Sequence, residues 1–283
     1  MKVLLLGKNG MLGSKVYKEI SKIKAVDLVS TTKSGGEDNV KFDVLNDSIF
    51  DLIKLLEPNY VINCIGITWN QEEKSLISLR KTFEINSIFP RKLVKASEQL
   101  NSHVIQILSD GVFSGKQGRY HEKSVRNDLT IYGQSKKLGE IKSKNMLGLR
   151  CSIIGEQSNF DRQYLLEWIK SQPRNTSVQG YENYLWNGIT TKAFAKIVSG
   201  IVSHESKIFG RFHLTPIDFV SKFELLTLLA HKYDRADIQI NKIRIPRNIN
   251  RTLSTNYPKE NSWFWEVGGY LTNQSIKQLV DEL

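Results

Sequence analysis

A tyrosine and a lysine stand four residues apart in the segment TIYGQSKKLGE, which covers residues 130–140. The run SKKLGEIKSK predicts a helix here, and residues four apart lie on one face of a helix. A cation near a phenol lowers its pKa, which would make Tyr132 a proton donor or acceptor beside Lys136. The spacing also suits two exposed side chains, so the chemistry depends on what surrounds them.

A serine at the end of an apolar strand supplies a third group. The segment HVIQILSD predicts a strand that ends near Ser109, and ligands of parallel sheets bind at the carboxyl ends of strands. We interpret Ser109, Tyr132 and Lys136 as a catalytic set that reduces a carbonyl with a nicotinamide cofactor. The serine would polarise the carbonyl and the tyrosine would deliver the proton. The lysine would lower the pKa of the tyrosine and bind the nicotinamide ribose.

The segment GKNGMLG follows the first predicted strand, Lys2 to Leu6, and precedes a predicted helix. Glycines here allow positive φ and let the backbone approach a pyrophosphate, while the helix N-terminus offers free N–H groups. A merely structural turn is the alternative, but the strand–loop–helix context favours a dinucleotide site. The residues assigned to phosphate binding are Gly7, Asn9, Gly10, Met11, Leu12 and Gly13.

The end of the second predicted strand, VDLVSTTK, indicates which dinucleotide binds. A carboxylate there would bind the ribose of NAD, but Asp27 lies inside the strand. Thr31, Thr32 and Lys33 stand at the end instead, and hydroxyls with a cation suit a 2′-phosphate. The sequence therefore favours NADPH, with NADH as the alternative.

Asp43 and Val44 close the third predicted strand, KFDV. Asp43 is placed to accept a hydrogen bond from the adenine amino group, and a role in a turn or at a helix N-terminus is equally open. We assign both residues to the cofactor site.

Strands and helices alternate through the first half of the chain. This order predicts an α/β fold with a doubly wound parallel sheet (Rossmann). From about residue 155 the pattern loosens, and the aromatic stretches YENYLWNG and NSWFWEVGGY are interpreted as irregular. We assign residues 1–154 to NADP(H) binding, with a segment at about 187–214 returning to that domain. Residues 155–283 are assigned mainly to a smaller, partly interwoven C-terminal α/β substrate domain.

Composition narrows the function classes. The 283 residues include 40 Lys and Arg against 29 Asp and Glu, a net charge of +11, but the charges are scattered. Without a basic block we expect no nucleic-acid partner. No apolar run approaches the ~20 residues of a membrane helix, and MKVLLLG is a poor signal peptide. Cys64 and Cys151 lie in apolar segments and predict core thiols, which favours the cytoplasm. The five histidines are dispersed and predict no metal site.

The motifs together resemble one family. In chain order they are GKNGMLG, VINCIGIT, INSIFPRKLVKAS, LSDGVFSGKQGRYHE, YGQSKKLGE, LRCSIIG, WNGITTKAFAKIV and GRFHLTP. This order resembles the extended short-chain dehydrogenase/reductases, and specifically the dTDP-4-dehydrorhamnose reductase (RmlD-like) family. The resemblance is good through GRFHLTP and loose beyond it.

The resemblance implies an NADPH-dependent reductase acting at C4 of a nucleotide-activated 4-keto-6-deoxy sugar, for surface polysaccharide synthesis. It implies the same catalytic set and extends the cofactor site to Asn63, Cys64, Ile65, Gly66 and Asn86. The residues expected to face the sugar nucleotide are Asp110, Gly111, Val112, Asn187, Thr190 and Arg251. The arginine suits a pyrophosphate, although Arg247 competes for that role. Besides the nucleotide sugar, a second copy of the chain in a homodimer is an open partner.

Some positions depart from the family. Gly111 stands where a tyrosine is common, and the proline usual before the YG pair is missing; both differences concern the sugar pocket. Asp110 stands where the related GDP-fucose synthases need a cysteine, which argues for reduction without epimerisation. Two alternatives stay open: an epimerase/reductase acting on another nucleotide sugar, and a regulatory subunit that binds NADP(H) without turnover. The β subunit of methionine adenosyltransferase exemplifies the second.

Overall fold

The structure is a computed structural model that describes residues 1–36, 38–68, 75–157 and 164–283. The strands are β1 (Lys2–Leu6), β2 (Asp27–Thr32), β3 (Val40–Lys41), β4 (Tyr60–Asn63), β5 (His103–Ser109), β6 (Met146–Cys151), β7 (Ile153–Ile154), β8 (Ser177–Tyr181), β9 (Tyr184–Trp186), β10 (Ile189–Thr190), β11 (Gly210–His213), β12 (Val220–Ser221), β13 (Gln239–Ile243) and β14 (Ile249–Asn250). The helices are α1 (Met11–Ile20), α2 (Ile49–Leu56), α3 (Leu76–Phe83), α4 (Phe89–Gln99), α5 (Ile131–Leu138), α6 (Leu165–Lys170), α7 (Thr191–Ser203), α8 (Lys222–Lys232), α9 (Pro258–Val267) and α10 (Ile276–Asp281). A π-helical turn, Glu84–Ile88, joins α3 to α4, and a 3-10 turn, Asp110–Val112, follows β5.

Within the described ranges, seven strands form one sheet in the order β11-β6-β5-β4-β1-β2-β3. Every neighbouring pair in this sheet is parallel. The strand order reverses between β1 and β4, and doubly wound sheets open a ligand crevice at such a point. The predicted doubly wound parallel sheet is confirmed.

Side chains of the sheet alternate between two apolar layers. Val3 and Leu5 pack in the layer that contains α1, α7 and α9 residues, whereas Leu4 and Leu6 pack in the layer with α2 and α4 residues. Because both faces are covered, all four residues of β4 are buried. These two layers fix the strand ends that carry the candidate site.

The outer strand β11 comes from far along the chain. It pairs with β6 from Gly210 opposite Leu147 to His213 opposite Arg150. The helix before it, α7, packs against α1. The segment from α7 to β11 therefore belongs to the large sheet and its helix layer. In sequence it stands between two segments that form a second, smaller unit.

The smaller unit contains short sheets and helices around a core of its own. Strand β8 pairs with β13, and β9 pairs with both β12 and β14. Helices α6, α8 and α10 contribute Ile169, Leu225, Leu229 and Ile276 to a core that also holds Trp186.

The irregular interpretation of the aromatic stretches is wrong. NSWFWEVGGY lies largely in α9, and Trp265 is fully buried in the layer shared with α7, not in the smaller unit. Asn261, Phe264 and Trp265 are its buried positions, which is helical spacing. The stretch YENYLWNG likewise contains β9. Within the described ranges, no helix has the length and apolar content that crossing a membrane requires.

Candidate active site

A cavity of about 800 Å³ opens at the carboxyl ends of the central strands. The predicted residues that line it are Asn9, Gly10, Met11, Leu12, Cys64, Ile65, Gly66, Ser109, Asp110, Gly111, Tyr132, Lys136 and Arg251. A further cavity of about 310 Å³, lined by Gly7, Thr31, Thr32, Lys33, Asp43 and Val44, adjoins it at the glycine loop. The structure thus brings most of the predicted cofactor and catalytic residues into one continuous groove.

The glycine loop has the backbone geometry that the sequence predicted. Gly7 has φ of +84°, and a Cβ on Gly13 would lie 2.0 Å from the carbonyl oxygen of Gly7. Only glycine fits at Gly13, because α1 begins directly against the loop. The N–H of Gly7 donates to Thr31 Oγ1 at 3.3 Å, which ties the loop to the end of β2.

The smaller cavity carries charge at its outer end. Lys33 Nζ lies 3.4 Å from Asp43 Oδ2. The N–H of Leu45, followed by the charge of Lys33, holds the pKa of Asp43 below its ordinary value. Lys81 from α3 also lines this cavity, and the sequence analysis missed it because α3 is remote from β2 in the chain.

The predicted catalytic residues Ser109 and Tyr132 meet at the carboxyl end of β5. The Tyr132 hydroxyl donates to Ser109 Oγ at 3.3 Å, and Ser109 Oγ also accepts the N–H of Gly111 at 3.0 Å. Thr130 caps α5 by accepting the N–H of Gly133 at 3.0 Å, and Asp128 accepts the N–H of Thr130. These caps fix the first turn of α5, where Tyr132 lies.

The expected lowering of the tyrosine pKa does not occur. Burial raises the pKa of Tyr132 to about 12; the hydrogen bond with Ser109 opposes this rise and the charge of Asp110 adds to it. The phenol is therefore protonated at neutral pH. That is the state from which it can donate a proton to a carbonyl oxygen.

Lys136 lies one turn after Tyr132 and faces the loop after β4. A Cβ on Gly66 would lie 3.3 Å from Lys136 Nζ and 3.6 Å from Asn86 Oδ1. Burial lowers the pKa of Lys136 to about 8, and the charge of Glu140 opposes this shift. The ammonium is thus charged at neutral pH and stands beside the strand end where a ribose would lie.

Asn86 connects the two segments that flank this lysine. Its Nδ2 donates to the Ile67 carbonyl at 2.8 Å and to Ser135 Oγ at 3.1 Å, while its Oδ1 accepts the N–H of Ile67 at 3.0 Å. With its amide used in this way, Asn86 positions the Gly66 loop against α5. The assignment of Asn86 to the cofactor site stays a prediction.

Charged and aromatic side chains line the cavity around Asp110, the residue that follows Ser109. Burial raises the pKa of Asp110, while Arg251 and Lys222 oppose the rise. Trp186 Nε1 donates to Ser152 Oγ at 2.8 Å, and that serine is hydrogen-bonded to Asp110. Trp186 thus lines the cavity while its ring packs in the core of the smaller unit, where it is 6% exposed.

Arg251 is partly used within the protein. Its Nη2 pairs with Asp128 Oδ2 at 3.0 Å, and its Nε donates to the Phe113 carbonyl at 2.9 Å. It therefore links the segment after β14 to the loop that caps α5. Arg247, its rival in the sequence analysis, is exposed and does not line the cavity.

Val112 and Asn187 correct the sequence analysis, because neither side chain lines the cavity. Val112 is 1% exposed and packs with Phe113, Tyr120 and Leu253. Asn187 binds the backbone of Leu253, donating to its carbonyl at 2.7 Å and accepting its N–H at 2.8 Å. Both residues support the wall of the cavity from behind.

Thr190 and Cys64 have packing roles. Thr190 is 1% exposed and caps α7 by accepting the N–H of Ala193. Cys64 lines the cavity, but burial raises the pKa of its thiol to about 12, so it is not a thiolate at neutral pH. Among the described residues, no group of three or more His, Cys, Asp or Glu side chains is arranged to hold a metal ion.

Lys222, Tyr184 and Ser152 line the cavity and were missed from the sequence. A signal for Lys222 existed, because Ser221 and Glu224 form a capping box that marks the start of α8. What the sequence does not reveal is that this helix start faces Asp110.

Glu140 anchors the chain just beyond the catalytic helix. Its carboxylate is 1% exposed and, within the described chain, pairs with Arg126 at 2.7 Å, with Arg211 at 2.8 Å and with Arg150. Burial opposes ionisation, but the charge of Arg150 and the other arginines hold the pKa of Glu140 below its ordinary value. The cluster joins the end of α5 to β6 and β11.

The same cluster continues to His213 in β11. Burial, followed by the charge of Arg150, lowers the pKa of His213 to about 4, so the ring is neutral. Its Nε2 lies 2.8 Å from Arg150 Nη1, and its Nδ1 lies 2.8 Å from the Ser254 carbonyl. We assign the proton to Nδ1, because the arginine can only donate.

Comparison with known proteins identifies a family. The family model described as the RmlD substrate binding domain matches residues 1–259. A dTDP-4-dehydrorhamnose reductase of Aggregatibacter actinomycetemcomitans is 22% identical over 265 residues, which cover 91% of this chain and 86% of that protein. The methionine adenosyltransferase 2 subunit beta of Xenopus tropicalis is 27% identical over 143 residues, 49% of this chain and 41% of that protein.

A solved structure gives the same fold. The dTDP-4-dehydrorhamnose reductase of Bacillus anthracis str. Ames, in complex with NADP, has a TM-score of 0.80 at 18% identity, and the match covers 99% of this chain and 97% of that chain. The family match covers most of the chain and agrees with the motif order. The chain belongs to the RmlD substrate binding domain family.

Proposed function

We propose that the chain is an NADPH-dependent reductase of the C4 keto group of a nucleotide-activated 4-keto-6-deoxy sugar. The observation that carries this proposal is the position of Ser109, Tyr132 and Lys136 between the glycine loop and the charged far end of the cavity. The relatives named as dTDP-4-dehydrorhamnose reductases support the substrate class.

The groove fits NADPH. A Cβ at Gly13 would strike the Gly7 carbonyl oxygen, so glycine lets α1 begin directly against the loop, where the N–H groups of its first turn would bind a pyrophosphate. Thr31, Thr32 and Lys33 would bind the 2′-phosphate, and Lys81 adds positive charge at the same cavity. Asp43 would accept the adenine amino group. When bound, NADPH supplies the hydride.

The catalytic side chains have distinct roles in this proposal. Ser109 and Tyr132, with hydroxyls 3.3 Å apart, bind one carbonyl oxygen from two directions. Tyr132 gives its proton to that oxygen as the ketone carbon gains the hydride, which yields a secondary alcohol. Lys136 binds the nicotinamide ribose and keeps a positive charge near the reaction.

Different parts of the chain bind the cofactor and the substrate in this proposal. Residues 1–154, with the returning segment at about 187–214, bind the cofactor, and residues 155–283 mainly shape the substrate end. We assign reduction without epimerisation, because position 110 carries an aspartate. The product would be an activated deoxysugar for surface polysaccharide assembly.

The direct test follows NADPH absorbance with a panel of freshly prepared 4-keto-6-deoxy nucleotide sugars, with and without a 3,5-epimerase. NADPH oxidation by the wild type that is lost in Tyr132→Phe would establish that the protein is a reductase, and the active panel member would identify its substrate. Tight NADPH binding without reduction of any panel member would contradict the proposal.

The similarity to the methionine adenosyltransferase subunit favours a second candidate, a regulatory subunit that binds NADP(H) without turnover. That match spans less than half of the named subunit. Co-purification with a larger enzyme, without stand-alone NADPH oxidation, would support this candidate over the reductase.

A further inference from the structure

Lys222 lines the cavity at its far end, in surroundings that are costly for a lysine. It is the first residue of α8, an 11-residue helix, and a cation at a helix N-terminus opposes the helix dipole. Burial also lowers the pKa of Lys222 to about 8. A lysine kept where both the dipole and burial disfavour its charge is a candidate for ligand binding.

The groups found near the ammonium of Lys222 are two aromatic rings. Its Nζ lies 5.3 Å from the Trp186 ring centre and 5.6 Å from that of Tyr184. Within the described part of the chain, no carboxylate lies within 4.0 Å of it, and the charge of Asp110 acts from farther away. Its charge is therefore not matched by a close ion pair.

Arg251 differs in this respect, although both residues line the same cavity end. Asp128 neutralises it at 3.0 Å, and the Phe113 carbonyl takes its Nε–H. The cation that the sequence analysis chose for a pyrophosphate is thus partly committed to the protein. Lys222 has the more available charge.

The position of Lys222 relative to the catalytic pair indicates which anion it meets. Asp110 directly follows Ser109, and Lys222 lines the same cavity as Asp110, whose charge acts on it. A sugar whose C4 lies between Ser109 and Tyr132 directs C1, and the phosphate bound to it, to the opposite side of the ring. The cofactor phosphates lie at the glycine loop, so they do not compete for this lysine.

We propose that Lys222 is a specificity-determining residue that binds the sugar-proximal phosphate of a nucleoside diphosphate sugar. This inference rests on the proposed function, because it takes the nucleotide sugar as the ligand. A nucleoside diphosphate carries that phosphate and a nucleoside monophosphate lacks it, so the pair isolates the contact.

The test measures binding by calorimetry on the NADP-loaded protein, with dTDP, UDP, GDP and CDP and their monophosphates as probes. For the diphosphate that binds best, Lys222→Met should weaken affinity about tenfold, as expected for a lost charge-assisted hydrogen bond. Affinity for the matching monophosphate should stay within about twofold, and Lys222→Arg should restore most of the loss.

Lys242→Met is the matched control, because Lys242 Nζ lies 5.6 Å from the Phe223 ring and outside the cavity. It should change neither affinity. Thermal unfolding of Lys222→Met should show no loss of stability, since the substitution removes a charge that the helix end disfavours.

Other results would overturn the inference. If Lys222→Met lost affinity equally for the diphosphate and the monophosphate, Lys222 would not bind the sugar-proximal phosphate. If Lys222→Met lost no affinity while Arg251→Met bound the diphosphate more weakly, Arg251 would be the residue that binds that phosphate. Failure of every nucleotide to bind the wild type would remove both this inference and the proposed function. Diphosphate discrimination without reduction of any ketosugar would leave the inference standing and contradict the reductase alone.

Discussion

The hydroxyl oxygen of Tyr132 lies 3.3 Å from Oγ of Ser109, although one residue begins a helix and the other ends a strand. Gly111 permits this approach. A Cβ at that position would lie 2.8 Å from Tyr132 Cε1 and 3.1 Å from Ser109 Oγ. The contact between Tyr132 and Ser109 therefore depends on a residue that contributes no side chain.

Gly111→Ala should lower kcat/KM by about 100-fold, because small displacements of reacting groups have effects of this size. NADPH affinity should change little. Gly66→Ala is the comparison, since its Cβ would lie 3.3 Å from the flexible end of Lys136 and at an ordinary 3.6 Å from Asn86 Oδ1, and we expect a milder loss. Steady-state kinetics with thermal unfolding would check both; wild-type activity in Gly111→Ala would contradict the geometry.

Tyr132→Phe should reduce kcat by roughly 10²–10⁴-fold, the contribution typical of a positioned general acid. The ring remains, so NADPH should bind as in the wild type. Tyr164→Phe, which changes another tyrosine of the same cavity, serves as the control. A comparable loss of kcat in both variants would argue against a special role for Tyr132.

The buried charge of Lys136 makes stability depend on pH. Its pKa is about 8 in the folded protein against 10.5 ordinarily. Between these values the unfolded chain binds more protons, so this group's contribution to stability rises with pH from about 8 to 10.5 and is constant below. Lys136→Met should therefore gain most over the wild type below pH 8, and less towards pH 10.

Urea unfolding at pH 7, 8, 9 and 10 would measure that difference. Lys222 has a similarly lowered pKa, but it is present in both proteins and its contribution cancels. A difference between Lys136→Met and the wild type that does not vary over this range would contradict the prediction.

Glu140→Gln should lower the free energy of unfolding by about 3–5 kcal/mol, because it leaves buried arginine charge without its partner. The surface pair Lys22–Glu19, at 2.6 Å, offers a contrast. Glu19→Gln should lower stability by about 1 kcal/mol or less. Chemical denaturation of the two variants at neutral pH would compare them; similar small losses would show that the Glu140 cluster adds little.

Lys33→Met should weaken NADPH binding about five- to tenfold and leave NADH binding nearly unchanged, because only NADPH carries the 2′-phosphate. The effect should shrink as salt concentration rises, since Lys33 is exposed. Lys54→Met, an exposed lysine of α2 outside the cavity, is the control. Fluorescence titration with both cofactors would check it; parallel losses for NADPH and NADH would place the 2′-phosphate elsewhere.

The parts of the site that the sequence predicts well are local in the chain. The glycine loop and the Tyr132–Lys136 spacing each lie within one strand–loop–helix segment, so their geometry follows from short-range rules. The helix α9 was missed because its aromatic residues suggested loops, although Phe264 and Trp265 face a core that forms only after folding.

The wrong and missing assignments concern contacts between distant segments. Asn187 was assigned to the substrate site. Its side-chain amide instead forms hydrogen bonds at both ends with the backbone of Leu253, which lies 66 residues further along the chain. Lys222 was missed for the same reason, since its neighbours Trp186 and Asp110 come from other elements. Burial also reversed the expected pKa shift of Tyr132, and burial cannot be read from a four-residue spacing.

The late arrival of β11 constrains how the chain folds during synthesis. The sheet acquires its outer strand only when Gly210–His213 pairs with β6, and Trp265 completes the layer beneath it later still. Until then a nascent chain holds β6 as an open sheet edge, the kind of surface that invites pairing with other chains. Native packing of the central sheet is therefore completed only after Gly210–His213 and Trp265 have been synthesised, and until then the exposed edge of β6 favours aggregation.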